Sequence, residues 1–423
     1  MAVGASAAHA NGAAPAPALG AAPGMAPPAT LAGGAASAPA VDHAERRARL
    51  AALAAARGLD GVLVYSWRRA AVAWCCGYAP GFATNWAALW IGADGSALLG
   101  VRFPFEVARA AHVSGLPTIA ADLPLAVLPA GARAIGVVAG GLAIDELPAE
   151  LGRELIRAGI AHQRLDDELN AWRALKTAPE LAALRRAAAI CAAALWAGGE
   201  LLSSAAAPAP SAPGASAPGA SARGAAPGAA CDDFALAATV EAAARARGAT
   251  RALCLVGAGD RAVVTEPHGA ALPPGGPVGV ELTIQLADGS GHVCHTYADG
   301  PAAARNRFAR EGCDAARAAI VAALRPGTPV DAAVAAGEAA LARRGLLSSR
   351  EYDFGHGIGL ETPERPRLLA GLGERIEAGN VISVHVGVRG DAGTHVSGGP
   401  VVVGADGAEE LLRSAPWSCH KDA

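Results

Sequence analysis

Apolar residues recur at helical spacing from His43 to Arg57 (HAERRARLAALAAAR), behind a charged first turn. Gly58 and Asp60-Gly61 close the stretch, so it predicts an amphipathic helix. The period then changes. GVLVY (Gly61 to Tyr65) is a short continuous apolar run, which predicts a buried strand. AALWIGADGSALLGV (Ala87 to Val101) reads as two strands around an ADG hairpin turn, and AIGVVAG (Ala134 to Gly140) as a third strand unit. Helices fit Leu147 to Ala158 and parts of Phe105 to Val113. Strands alternating with helices predict an α/β domain with a mostly parallel sheet over residues 41–168.

Leu169 to Ala188 reads as a break followed by a long amphipathic helix, and Phe234 to Arg247 is helical again. Between them, residues 203–230 are almost all Ala, Pro, Gly and Ser. Pro removes donors and Gly resists ordering, so a low-complexity surface insertion is expected. From Arg251 onward strand patterns recur at Ala252 to Val256, Val278 to Leu286, Val381 to Val388 and Pro400 to Val403. Helices are predicted near Arg305 to Leu324 and Val330 to Arg344, with RPGT (Arg325 to Thr328) as the turn between them. The second domain, residues 169–415, is therefore expected to be α/β with a curved antiparallel sheet.

A chain of 423 residues is long enough for two such domains. The 52% hydrophobic content is inflated by alanine, and no run of about 18 strongly apolar residues escapes charges or Gly/Pro breaks, so no membrane span is expected. Residues 1–40 lack a basic start and a Leu-rich run and read as a flexible tail rather than a signal peptide. A net charge of -3 and 4% aromatic residues leave neither a basic stripe nor stacking platforms, which excludes nucleic acid as a partner. The eight cysteines are scattered without a CxxC pair, as free thiols in a reducing cytoplasm would be. Trp74-Cys75-Cys76 reads as core and Asp288-Gly289 as a turn. GAGD (Gly257 to Asp260) is too short for a dinucleotide loop.

Three stretches carry a resemblance. They are WRALKTAPELAALRRAA (Trp172 to Ala188), LRPGTPVDAAVAAGEAALARRGL (Leu324 to Leu346), and YDFGHGIGLETPERP (Tyr352 to Pro366) with IEAGNVISVHVGV (Ile376 to Val388). Together they resemble the creatinase/prolidase/aminopeptidase P family, the M24 peptidases of pita-bread fold. The resemblance implies two domains: a creatinase-like N-terminal α/β domain and a C-terminal pita-bread domain. It also implies a homodimer, a small-molecule or short-peptide substrate, and a dinuclear metal site made of two Asp, one His and two Glu. Of those ligands only the His, His356, is retained. The Glu of the family's Glu-Pro-Gly motif falls on His385 and the last Glu on Ser397, with His395 where an Arg is expected. The two Asp fall on Ile284 or Gln285 and on His295 or Thr296. Pro363 replaces the His of the family's HExP motif, while Glu364 and Pro366 remain. The resemblance also matches His268 to the histidine that precedes the first Asp.

Without a bridging carboxylate the usual two-metal site is not expected. Six of the eleven histidines lie between His268 and His395. His295, His356 and His385 are candidates to hold one divalent ion, with His292 and His395 beside them for substrate and His268 and Glu364 for proton transfer. His268, His356 and His385 are expected to line one cavity. Three readings stand together: a divergent Xaa-Pro-peptidase-like hydrolase of a C–N bond with a His-rich site; a metal-free, creatinase-like enzyme using His268 as base; and a non-catalytic binding module. A guanidinium substrate is disfavoured, because no carboxylate pair is placed to grip it. Glu361 and Glu364 have a plainer reading, as surface partners of Arg365 or Arg367.

Overall fold

The ADG turn decides the geometry of the first sheet. Asp94 Oδ1 accepts from the Ser96 amide, Gly95 sits at φ +86°, and β2 (Ala87–Gly92) and β3 (Ala97–Val101) pair antiparallel around them. The computed structural model describes residues 41–66, 70–81, 85–139, 148–206, 231–258, 264–391 and 393–412. The predicted tail 1–40, residues 207–230 of the insertion, the end of GAGD and Cys419 lie outside the described residues.

Around that hairpin, β1 (Gly61–Ser66), β4 (Thr118–Ala120), β5 (Ala134–Val138) and β6 (Ala161–Arg164) complete a sheet of order β4-β3-β2-β1-β5-β6. Three of its neighbour pairs are parallel and two, the hairpin and β1–β2, are antiparallel. The sheet is thus mixed with parallel pairs in the majority, as expected, and the tight turn after β2 returns β3 antiparallel. Every residue of β1 is buried, since both faces of the sheet are covered. On one face α1 (His43–Ala56) and α2 (Ala70–Cys76) supply Leu50, Ala54, Val72 and Trp74; on the other α4 (Ala149–Arg157) supplies Leu151 and Leu155. A short helix, α3 (Val107–Ser114), precedes β4.

The second sheet contains β7 (Arg251–Ala258), β8 (Val278–Gln285), β9 (Ser290–Tyr297), β10 (Gly355–Gly357), β11 (Glu364–Arg367), β12 (Val381–Gly390), β13 (Gly393–Val403) and β14 (Ala408–Glu410). Its order is β11-β10-β12-β13-β9-β8-β7, with β14 also on β13, and every pair is antiparallel. Helices cover one face only. α6 (Ala178–Ala206) and α7 (Asp233–Arg245) pack on Val280, Leu282, Ile284 and Val293, while α8 (Gly300–Ala323) and α9 (Val330–Ala342) pack on Ile382, Val384, Val386 and Val388. Because side chains alternate along a strand, the intervening residues of these strands project from the opposite face.

By length and composition α6 could cross a membrane, contrary to the sequence expectation. Its apolar stripe is nevertheless core surface: Ala187, Ile190, Cys191, Ala194 and Leu195 are buried against the sheet. Gly291 lets the helix approach, since a Cβ there would stand 2.8 Å from Cys191 Sγ. Between the two sheets runs α5 (Asp166–Ala174) with the turn into α6. Arg46 of α1 pairs with Glu180 at 2.6 Å, and Trp74 stacks with Trp172 at 6.4 Å between ring centres.

Candidate metal centre

Three strands of the second sheet converge on a group of imidazoles. β9 turns His292 and Cys294 to the uncovered face, β12 turns Ser383 and His385 there, and β10 brings His356 opposite Ser383. The ring centres of His292, His356 and His385 stand 5.1, 5.5 and 5.5 Å apart, a near-equilateral triangle. His292 and His385 are buried and His356 is partly accessible, so the triangle opens at His356.

Each ring has one nitrogen committed. His356 Nδ1 lies 3.0 Å from the Gly357 carbonyl, which can only accept, so Nδ1 carries the proton and Nε2 the lone pair. His385 Nε2 donates to Asp353 Oδ1 at 3.0 Å, and its Nδ1 is buried without a hydrogen-bond partner. His292 Nδ1 meets the Thr283 hydroxyl at 2.9 Å, and its Nε2 is likewise buried without one. Burial lowers the pKa of His292 well below its ordinary value, and the neighbouring imidazoles lower it further. His356 is lowered to about 4, first by burial and then by His385. These two rings are therefore neutral near pH 7, the form that offers a lone pair to a cation. Glu281 Oε1 lies 4.0 Å from His292 Nε2, and burial raises its pKa. The burial cost at Asp353 is outweighed by its bond to His385, and its pKa falls. Cys294 is a buried thiol whose pKa burial raises well above its ordinary value; its sulfur and one nitrogen each of His292 and His385 lie within 4.8 Å of one another.

The pairing of β8 with β9 resolves the register that the sequence left open. Glu281 faces Cys294 and Thr283 faces His292, so the acidic position turned to the triangle is Glu281 and its partner is His292. Ile284 points into the helix-covered core, Gln285 ends β8 opposite Ser290, and Thr296 bonds Val396. His295, expected as a ligand, alternates to the helix side and packs against Tyr297 at 4.7 Å. His395 also faces the helices, where its Nδ1 meets Asn306 of α8 at 3.1 Å. Ser397 pairs with Val386 and shares its face; the residue across from His385 is Gly398, which has no side chain to offer.

His268 is half exposed in the stretch after β7, its ring 3.4 Å from Asp233 and 3.3 Å from the Glu266 carbonyl, outside the triangle. Glu364 is neither a surface partner of Arg365 nor an available base. It is buried, with Arg173 at 2.6 Å on one oxygen and Lys176 at 2.9 Å on the other. Burial would raise its pKa, but the two cations hold it at about 2. Sequence reasoning missed Glu281, Asp353, Thr283 and Cys294 as neighbours of the site. Only the spacing of Asp353, three residues before His356, hinted at a shared segment.

Residues 182–405, more than half of the chain, match metallopeptidase family M24. The chain belongs to that family. It is thereby a peptidase-like protein of the pita-bread fold, and solved structures agree on the fold. Prolidase from Pyrococcus horikoshii OT3 shares 18% identity at a TM-score of 0.71, covering 87% of this chain and 97% of its own. Dipeptidase PepE from Mycobacterium ulcerans shares 22% at 0.67, covering 87% and 95%. The N-terminal domain of FACT complex subunit SPT16 from Cicer arietinum shares 12% at 0.61, covering 88% and 97%. No curated protein sequence matches. On the uncovered face of the second sheet this M24 chain brings His292, His356 and His385 together. Glu281 is the one carboxylate on the paired strands β8 and β9, and Gly398 faces His385. A pair of cations needs bridging negative charge that this arrangement does not supply. The ring spacing suits one tetrahedral ion, whose imidazole ligands stand roughly 5 Å apart centre to centre, while the donor atoms that converge within 4.8 Å of one another are those of His292, Cys294 and His385.

Proposed function

We propose that this chain is a hydrolase of a C–N bond in a small amide or peptide-like substrate, working with one divalent ion held by His292, His356 and His385. The observation that carries the reading is the triangle of imidazoles, each with one nitrogen tied to an outer partner (Thr283, Gly357 or Asp353) and the other left for a ligand. Outer acceptors of this kind orient metal-bound histidines and fix their tautomers. Bound there, a divalent ion supplies Lewis acidity and an acidified water. Glu281, whose proton affinity is raised by burial, is the carboxylate placed to take a proton beside His292. Cys294 lies beside His292 and His385, its thiol made less acidic by burial, and the fourth position is left for the water. The reading that uses His268 as base has less support, since that ring is half exposed and faces Asp233. The proposal includes a homodimer in a reducing cytoplasm; the free thiols of the seven described cysteines are compatible with that compartment.

Two measurements test it. Cobalt-substituted protein should give the visible absorption of a nitrogen-rich tetrahedral site, and that spectrum should be lost in His356→Ala. Xaa-Pro dipeptides supplied with Mn or Co should show no turnover above background, because the second metal has no bridge. Robust, chelator-sensitive cleavage of those dipeptides would overturn the one-ion reading.

A further inference from the structure

β13 lies between β9 and β12, and one residue decides what can meet across it. Gly398 is the register partner of Cys294 on β9 and also of His385 on β12. A Cβ at Gly398 would stand 2.4 Å from the His385 Cβ. With no side chain there, Cys294 and His385 approach each other over the bare strand, although their own strands are not neighbours. Alternation puts His292 on the same face, two residues before Cys294. One donor atom from each of His292, Cys294 and His385 lies within 4.8 Å of the others. The three residues are 3%, 4% and 4% exposed. His292 Nε2 and His385 Nδ1 are buried without a hydrogen-bond partner. Among the described residues these three donors are the ones that converge, while His356 stands at the mouth.

We infer that His292, Cys294 and His385 form a second, deeper ion site that takes copper(I), and that copper held there blocks the divalent ion by occupying two of its three imidazoles. The block rests on the proposed hydrolytic site, whereas the copper site stands on the Cys294 geometry alone. Two imidazoles and a sulfur make a soft donor set, unlike the oxygens that Mg, Ca or Mn require. Charge then selects among soft ions. A thiolate and two neutral imidazoles balance one positive charge and leave a divalent ion half compensated, which is costly in a buried site. The carboxylate of Glu281 stands off at 4.0 Å from His292 Nε2, and that of Asp353 is engaged by His385 Nε2. As the copper–sulfur bond forms, the thiol proton leaves to solvent, and copper enters and remains as copper(I), so no electron moves. Three buried donors leave no open position for water, so the copper-loaded cage lacks what hydrolysis needs.

The test supplies copper(I) as its coloured bicinchoninate complex, without oxygen, to metal-free and to cobalt-loaded protein. Metal-free wild type should withdraw one equivalent of copper that Cys294→Ser and His385→Ala do not, a loss of at least about 10–100-fold in affinity. Comparison with Cys294→Ser cancels whatever the other cysteines bind, and Cys294→Ala guards against a hydroxyl that disturbs the buried strand. His356→Ala should keep the copper equivalent while losing the cobalt spectrum. In cobalt-loaded wild type the same copper should erase the cobalt spectrum, and in Cys294→Ser that spectrum should persist. Equal copper uptake by wild type and both Cys294 variants overturns the copper site and leaves the divalent site standing. Copper uptake that leaves the wild-type cobalt spectrum intact overturns the block. No cobalt spectrum in wild type, with a copper equivalent that Cys294→Ser and His385→Ala lose, overturns the hydrolytic reading and supports the copper site.

Discussion

Glu364→Ala is expected to lower stability by about 3–5 kcal/mol, because it leaves Arg173 and Lys176 buried without their counter-charge. The pair joins α5, between the two sheets, to the segment that follows GHGIGL, so the loss should loosen the loop that carries His356. Chemical denaturation at neutral pH measures it. A change below about 1 kcal/mol would mean that the pair behaves as an exposed one. The same carboxylate sets a pH dependence. Its pKa is about 2 in the fold against an ordinary 4.5. Its contribution is therefore complete above pH 4.5 and disappears as the pH falls toward 2, a swing of about 3 kcal/mol by linkage. Wild type should lose that increment on acidification and Glu364→Ala should lack it.

The second large effect concerns the triangle itself. His385→Ala should cost at least about 10–100-fold in metal affinity, since it removes a ligand and strands the Asp353 acceptor. Its melting temperature should fall relative to wild type chiefly when metal is supplied, because an ion that binds only the folded state adds about 2.7 kcal/mol at a hundredfold excess over Kd. With a chelator present the two proteins should differ by no more than the packing of one imidazole. His385→Gln, closer in volume, guards against a variant that simply misfolds. Equal melting temperatures for wild type with and without metal would contradict the account.

The family and its two-domain fold were legible because they rest on long periodic segments and on GHGIGL, whose glycines the backbone requires. Gly355 has φ +125°, and a Cβ there would lie 2.0 Å from the Ser383 carbonyl oxygen. The strand at Val381 to Val388 was legible because its helix-facing residues are all valine or isoleucine. β9 was not. SGHVCHTY alternates His, Cys and Thr with Val and Tyr, and its polar face reads as a loop until β8 is laid beside it. That one missed strand produced the wrong third ligand candidate, since slipping a strand by an odd number of residues turns every side chain over. His295 was therefore chosen where His292 stands, and Glu281 went unnoticed. The role of Glu364 was hidden for another reason. Its partners, Arg173 and Lys176, are nearly two hundred residues away in sequence.

The most direct test is the metal stoichiometry of protein purified without chelator or affinity metal, by elemental analysis, on wild type and on His292→Ala, His356→Ala and His385→Ala. One equivalent of a divalent ion per wild-type chain, lost in each variant, is the predicted result. Two equivalents would restore the family's dinuclear centre, and none, with three variants that behave as mild packing changes, would contradict the metal site and favour a non-catalytic role for the fold.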